Sequence, residues 1–97
     1  MLPLARAVSF KAVLQKGSRV QVPKLVRWQF KIDNQQVLEV IVKPSGSFAN
    51  VERFYARICQ DGRVAIPKMT LKLMEGRKEG LVGSVLEIEL RPAETLR

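Results

Sequence analysis

The chain has 97 residues, 46% hydrophobic and 27% charged, enough for one compact domain with its own core and too apolar for a disordered segment. Histidine is absent and cysteine occurs once, at Cys59. That excludes an intramolecular disulfide, argues against zinc and triad chemistry, and leaves Cys59 as a small buried or half-buried apolar group. Seventeen Lys/Arg against nine Asp/Glu give a net charge of +8 and a pI near 10.3, a field that favours polyanionic partners.

The opening MLPLARAVSF has no long apolar core and carries its basic residue inside the stretch, so it does not read as a signal peptide. No run approaches the ~20 apolar residues of a membrane span. A cytoplasmic protein without a membrane partner is the expectation. The positive charge is uneven, with eight Lys/Arg against two acids in Met1–Phe48 and nine against seven in Ala49–Arg97. A nucleic-acid face would draw mainly on the first half.

Phe10, Ala12 and Leu14 alternate with Lys11, Val13 and Gln15, a period of two that marks a strand with one buried face. Gly17-Ser18 is turn chemistry, and a short strand follows with Val20 and Val22 inward. Pro23 ends it, having no N–H for a ladder but being tolerated at a helix start. KLVRWQF then suits a short helix of about two turns, predicted to turn Leu25, Trp28 and Phe30 inward. Trp28 reads as a core or half-buried anchor rather than a base-stacking platform, because aromatics make up only 6% of the chain and are not interleaved with basic residues. A last strand places Leu38, Val40 and Val42 inward and Glu39 and Lys43 toward water. The loop KPSGSFANVE leads onward.

The pattern then repeats. Phe10–Phe30 falls without a gap on Phe54–Met74, and Val37–Pro44 falls on Val85–Pro92 after a four-residue insertion. Identical pairs include Phe10/Phe54, Arg19/Arg63, Pro23/Pro67, Lys24/Lys68 and Glu39/Glu87, with Val22/Ile66 and Val40/Ile88 conservative. In the second copy Phe54, Ala56 and Ile58 alternate, Asp61-Gly62 turns, Val64 and Ile66 point inward, and KMTLKLM is helical with Met69, Leu73 and Met74 inward. The strand of Leu86, Ile88 and Leu90 follows. The chain is therefore one domain of two β-β-α-β units, residues 8–44 and 53–92, joined by a linker over 45–52. Six strands suffice to close a small barrel and remove exposed edges. The expected class is mainly β with two short helices, a six-stranded pseudo-twofold barrel.

The motif turn-Gly-Arg-Val-x-Ile-Pro-Lys followed by a short helix resembles the AbrB/SpoVT/MazE group of DNA-binding regulators and antitoxins. DGRVAIPK (Asp61–Lys68) is the closer match, and KGSRVQVPK (Lys16–Lys24) departs by a serine between glycine and arginine. That group belongs to the cradle-loop barrels, and over Phe10–Pro92 the chain is most similar to small archaeal tandem-repeat proteins of RIFT-barrel type. AbrB-type halves end in two strands that interleave between chains, whereas one strand follows each helix here. The resemblance therefore implies a closed monomer, with a swapped-hairpin homodimer as the alternative. The Gly-Asp turn of the family is replaced by Gln35-Gln36 and Gly83-Ser84.

Carried over by position, the resemblance implies DNA contacts from Arg19 and Arg63, then Lys24, Lys68 and Arg27, with Lys16 and Lys11 adding to the same end. Leu71 aligns with Arg27, so the second copy lacks that contact. The competing reading of the arginines is a fold-stabilising pair with an acid such as Asp61. For Lys24 and Lys68 it is a solvated side chain. GRKEG (Gly76–Gly80) reads as a charged loop or a mobile basic finger. Enzyme readings are weak, since Glu87 and Glu89 alternate on a solvent face and no phosphate-binding glycine loop appears. No catalytic residue, metal or cofactor is expected. The expectation is a non-enzymatic DNA-binding transcription regulator holding phosphates through basic loops. The alternatives are an RNA- or ribosome-associated barrel and a module for small ligands or protein partners.

Overall fold

The computed structural model describes residues 7–29, 36–46, 51–75 and 82–93. Its elements follow in the order β1 (Val8–Val13), β2 (Arg19–Gln21), α1 (Lys24–Gln29), β3 (Leu38–Pro44), β4 (Glu52–Ala56), β5 (Arg63–Ala65), α2 (Lys68–Glu75) and β6 (Val85–Pro92). The order β-β-α-β thus occurs twice. Its radius of gyration, 13.0 Å, is that of a compact chain of this length. Among the described residues no helix is long and apolar enough to cross a membrane.

The strands form a four-stranded antiparallel sheet, β1-β6-β3-β4, and a separate two-stranded antiparallel ribbon, β2-β5. The expected continuous six-stranded barrel is therefore corrected: the ladders do not close. The physical reason is strand length. β2 and β5 have three residues each and are stopped within two residues by Pro23 and Pro67, which leaves too few N–H groups to bond on both sides. The ribbon joins the sheet through its connections instead. Gln15, two residues beyond β1, bridges Arg19 of β2.

The core lies between sheet and ribbon. Leu38, Val40 and Val42 of β3, Leu86, Ile88 and Leu90 of β6, and Val20, Val22, Val64 and Ile66 around the ribbon are all buried, as the alternation predicts. The helices depart from expectation. Leu25 and Trp28 of α1 and Met69 and Leu73 of α2 are exposed, while Thr70, Leu71 and Met74 are buried and Val26 packs partly on the core. The helices begin directly after Pro23 and Pro67 as expected, and Met74 is inward as expected, but the rest of the inward stripe runs through 26 in α1 and through 70 and 71 in α2. Phe30 lies outside the described residues. Cys59, expected at least half-buried, is exposed.

Contacts recur at fixed offsets. Phe10 faces Ile88 across β1–β6 as Phe54 faces Val40 across β4–β3, and Ala12–Leu86 recurs as Ala56–Leu38. Around the ribbon, Val22 N donates to Gly62 O at 2.9 Å and Ile66 N to Ser18 O at 2.8 Å. Gln15 N to Arg19 O is matched by Cys59 N to Arg63 O, and Arg27 N to Pro23 O by Leu71 N to Pro67 O.

Candidate nucleic-acid interface

Charge is segregated between the two faces. The four strands of the larger sheet carry four cations, Lys11, Lys43, Arg53 and Arg91, against four acids, Glu39, Glu52, Glu87 and Glu89. These pair locally: Lys43–Glu87 at 3.4 Å, Arg53–Glu39 at 3.1 Å and Arg91–Glu89 at 2.6 Å. The segments holding the turns, ribbon and helices, 15–29 and 57–75, carry eight Lys/Arg against two acids, Asp61 and Glu75. The net charge of +6 on the described residues therefore falls in these segments, and the strands of the sheet contribute none.

The ribbon presents its arginines outward because Val20 and Val64 face each other inward, leaving Arg19, Gln21, Arg63 and Ala65 on the other surface. Arg19 lies opposite Ala65 and Gln21 opposite Arg63, so the two arginines are diagonal neighbours, separated at Cα by roughly 7–8 Å as such pairs are. They are not equivalent. Arg63 is held by Asp61, its Nη1 donating to Oδ2 at 3.0 Å while its backbone N–H donates to Oδ1 at 3.1 Å. The backbone N–H of Arg63, then its guanidinium, then the charge of Arg19 hold the Asp61 carboxyl below its ordinary value. Arg63 Nε is buried without a partner among the described residues. Position 17, the counterpart of Asp61, is glycine, so Arg19 has no such tether from its own turn. The fold-stabilising reading therefore fits Arg63, and Arg19 is the exposed cation.

Arg27 is brought to this group in a way the sequence does not announce. It stands where Leu71 stands in the other half; it is half-buried, its Nε donates to Val22 O at 3.3 Å, and its guanidinium lies over the Gly62 turn. Gln21 Nε2 donates to Asp61 O at 3.1 Å on the same turn. Gly62 has φ +84°, and a methyl group there would stand 2.5 Å from Arg27 Cζ and 2.7 Å from Gln21 Nε2. Glycine thus serves two ends, a left-handed turn and room for a guanidinium. The sequence reading does not find the Gln21 hydrogen bond or the approach to Gly62; the Ser18/Gly62 mismatch between the copies is the one signal it holds.

Lys24 and Lys68 are the first residues of α1 and α2 and are exposed. A cation at a helix N-terminus opposes the macrodipole, so local helix stability does not call for either lysine. Lys16 is exposed in the first turn, beside Arg19. Lys11 is not part of the group, correcting its expected place. It faces Glu87 in register on the larger sheet, with Lys43 on the far side of that glutamate. The GRKEG loop, residues 76–80, lies outside the described residues. Trp28 is 74% exposed, which overturns its reading as a core anchor.

An open groove of about 500 Å³ lies at the larger sheet, lined among others by Ser9, Lys11, Lys43, Glu87 and Glu89. Its charges cancel, and Glu87 is held below its ordinary pKa by the Gly46 N–H, then by Lys43 and Ser45. That is a poor surface for a polyanion. Among the described residues no cluster of three or more Cys, Asp or Glu could hold a metal ion.

No family model matches the chain, and no curated protein does. Among solved structures, the solution structure of PHS018 from Pyrococcus horikoshii is similar over 100% of this chain and 99% of its own, with a TM-score of 0.74 and 22% identity. At that identity the likeness is one of fold.

Proposed function

We propose that the chain is a non-enzymatic nucleic-acid-binding protein, a DNA-binding transcription regulator of AbrB-like ancestry. The observation that carries this reading is the segregation of charge, a neutral sheet against a net charge of +6 on the segments that hold the turns, ribbon and helices. A two-stranded antiparallel ribbon fits the major groove of duplex DNA, and guanidinium forks suit phosphate oxygens and guanine edges. Arg19, Lys16, Lys24 and Lys68 supply the exposed cations. Arg63 and Arg27, tied to the second turn, fix its shape and add field.

For the architecture, we read the two halves as a duplicated unit of the cradle-loop, RIFT-type family acting as a monomer. The registers and turn hydrogen bonds that recur between the halves support this. In each half one strand follows the helix among the described residues, which favours it over a swapped-hairpin dimer.

The test is a mobility-shift titration on duplex DNA at several salt concentrations. Neutralising four to six phosphates gives a slope of log K against log[salt] of roughly −3.5 to −5.5. No binding at low salt contradicts the proposal. Stronger binding to single-stranded RNA than to duplex DNA moves the function to an RNA- or ribosome-associated protein.

A further inference from the structure

We infer that Trp28 is a base-stacking residue, and that α1, next to the ribbon, takes one unpaired base on the indole where the bound nucleic acid is single-stranded. This rests on the nucleic-acid reading of the same face and deepens it.

Trp28 is the chain's single tryptophan, and folding leaves 74% of it in water. The buried core closes without it. An aromatic of this size gains more from burial than any other side chain, so its exposure asks for a partner rather than a packing role. Its neighbours say which kind. Lys24, four residues earlier, shares its side of α1, and Arg27 precedes it with the guanidinium docked on the Gly62 turn. A flat apolar ring beside Lys24, on a helix joined to the basic ribbon through Arg27, complements a polyanion that also carries flat rings. Unpaired bases offer a π-face to such a platform, whereas in a duplex they are stacked on one another. A lipid surface is the poorer match. α1 has six residues, about 9 Å of helix, and turns only Leu25 and Trp28 outward as large apolar groups.

Since the fluorescence of one tryptophan reports on this site alone, the wild-type chain is titrated with a twelve-nucleotide oligo(dT). Matched titrations use a duplex of the same length, heparin as a polyanion without bases, and phosphatidylserine vesicles. Expected are quenching by oligo(dT), a loss of about ten-fold or more in its affinity for Trp28→Ala, and partial retention by Trp28→Phe. Heparin affinity and the melting temperature should stay unchanged in both variants. If Trp28→Ala binds oligo(dT) as the wild type does, stacking is overturned while the basic face stands. If neither oligonucleotide binds, the nucleic-acid reading itself falls. Salt-resistant binding to vesicles that needs Trp28, with none to oligo(dT), replaces the proposal by a membrane site.

Discussion

Replacing Gly62 by alanine perturbs the point where the two halves grip each other. The backbone there has φ +84°, and an L-residue in the left-handed region costs about 1–2 kcal/mol. The new methyl would meet Arg27 Cζ at 2.5 Å and Gln21 Nε2 at 2.7 Å, so both side chains must leave. Arg27 Nε then gives up Val22 O and Gln21 Nε2 gives up Asp61 O, at about 0.5–1.5 kcal/mol each. The total is about 2–5 kcal/mol, or a fall of roughly 8–40 °C in Tm at ~4–8 °C per kcal/mol for a domain this size. Thermal and urea denaturation followed by circular dichroism measure it. In an Arg27→Ala background only the Gln21 Nε2 contact at 2.7 Å remains, so Gly62→Ala should cost the ~1–2 kcal/mol of the backbone and at most the one Gln21 hydrogen bond, about 0.5–1.5 kcal/mol. A Tm within about 2 °C of wild type for Gly62→Ala, or full additivity of the two changes, would refute the reasoning.

Ser18 occupies the counterpart of Gly62 with φ 61°, so Ser18→Gly should stabilise by about 0.5–1 kcal/mol, read as a higher urea midpoint. Arg19→Ala should weaken duplex binding and make the salt slope shallower by about 0.9 for each phosphate no longer neutralised, with Tm unchanged. Arg63→Ala should weaken binding and also lower Tm, because Asp61 is then without the guanidinium that helps order its turn; equal Tm values for the two variants would contradict the assigned roles. Asp61 and Glu87 both have folded-state pKa values below their free values of 3.8 and 4.5. Their stabilisation is therefore complete above those free values and lost as pH falls through the lower folded ones. With no histidine in the chain, stability and DNA affinity should be flat between about pH 5.5 and 8 and stability should decline below about pH 4. A midpoint near pH 6.5 in either would count against this.

The strands are legible in the sequence because a buried face imposes a period of two: Leu38, Val40 and Val42, and their counterparts Leu86, Ile88 and Leu90, are all inward. The helix faces are not. Six or eight residues give under three turns, too short for an apolar stripe to stand out, so which side meets the core is decided by tertiary packing. Leu25, Trp28, Met69 and Leu73 are accordingly outside and Leu71 inside. Barrel closure fails on strand length, because six strands close a barrel only if each is long enough to bond on both edges. At the site, the aligned arginines are alike in sequence and unlike in the fold. The acid that distinguishes them, Asp61 against Gly17, is plain in the sequence, but its consequence needs the turn geometry. Arg27 docks on Gly62 from thirty-five residues away, a contact only the fold creates.

The central claim is that one face, the ribbon with its turns and helix starts, meets nucleic acid. Titrating ¹⁵N-labelled protein with a short DNA oligonucleotide and following amide shifts tests it directly. Expected are changes concentrated at Lys16–Gln21, Asp61–Ala65, Lys24 and Lys68, with the outward residues of the larger sheet, Ser9, Lys11, Glu87 and Glu89, nearly still. Shifts clustered on that sheet, or none at low salt, would contradict it.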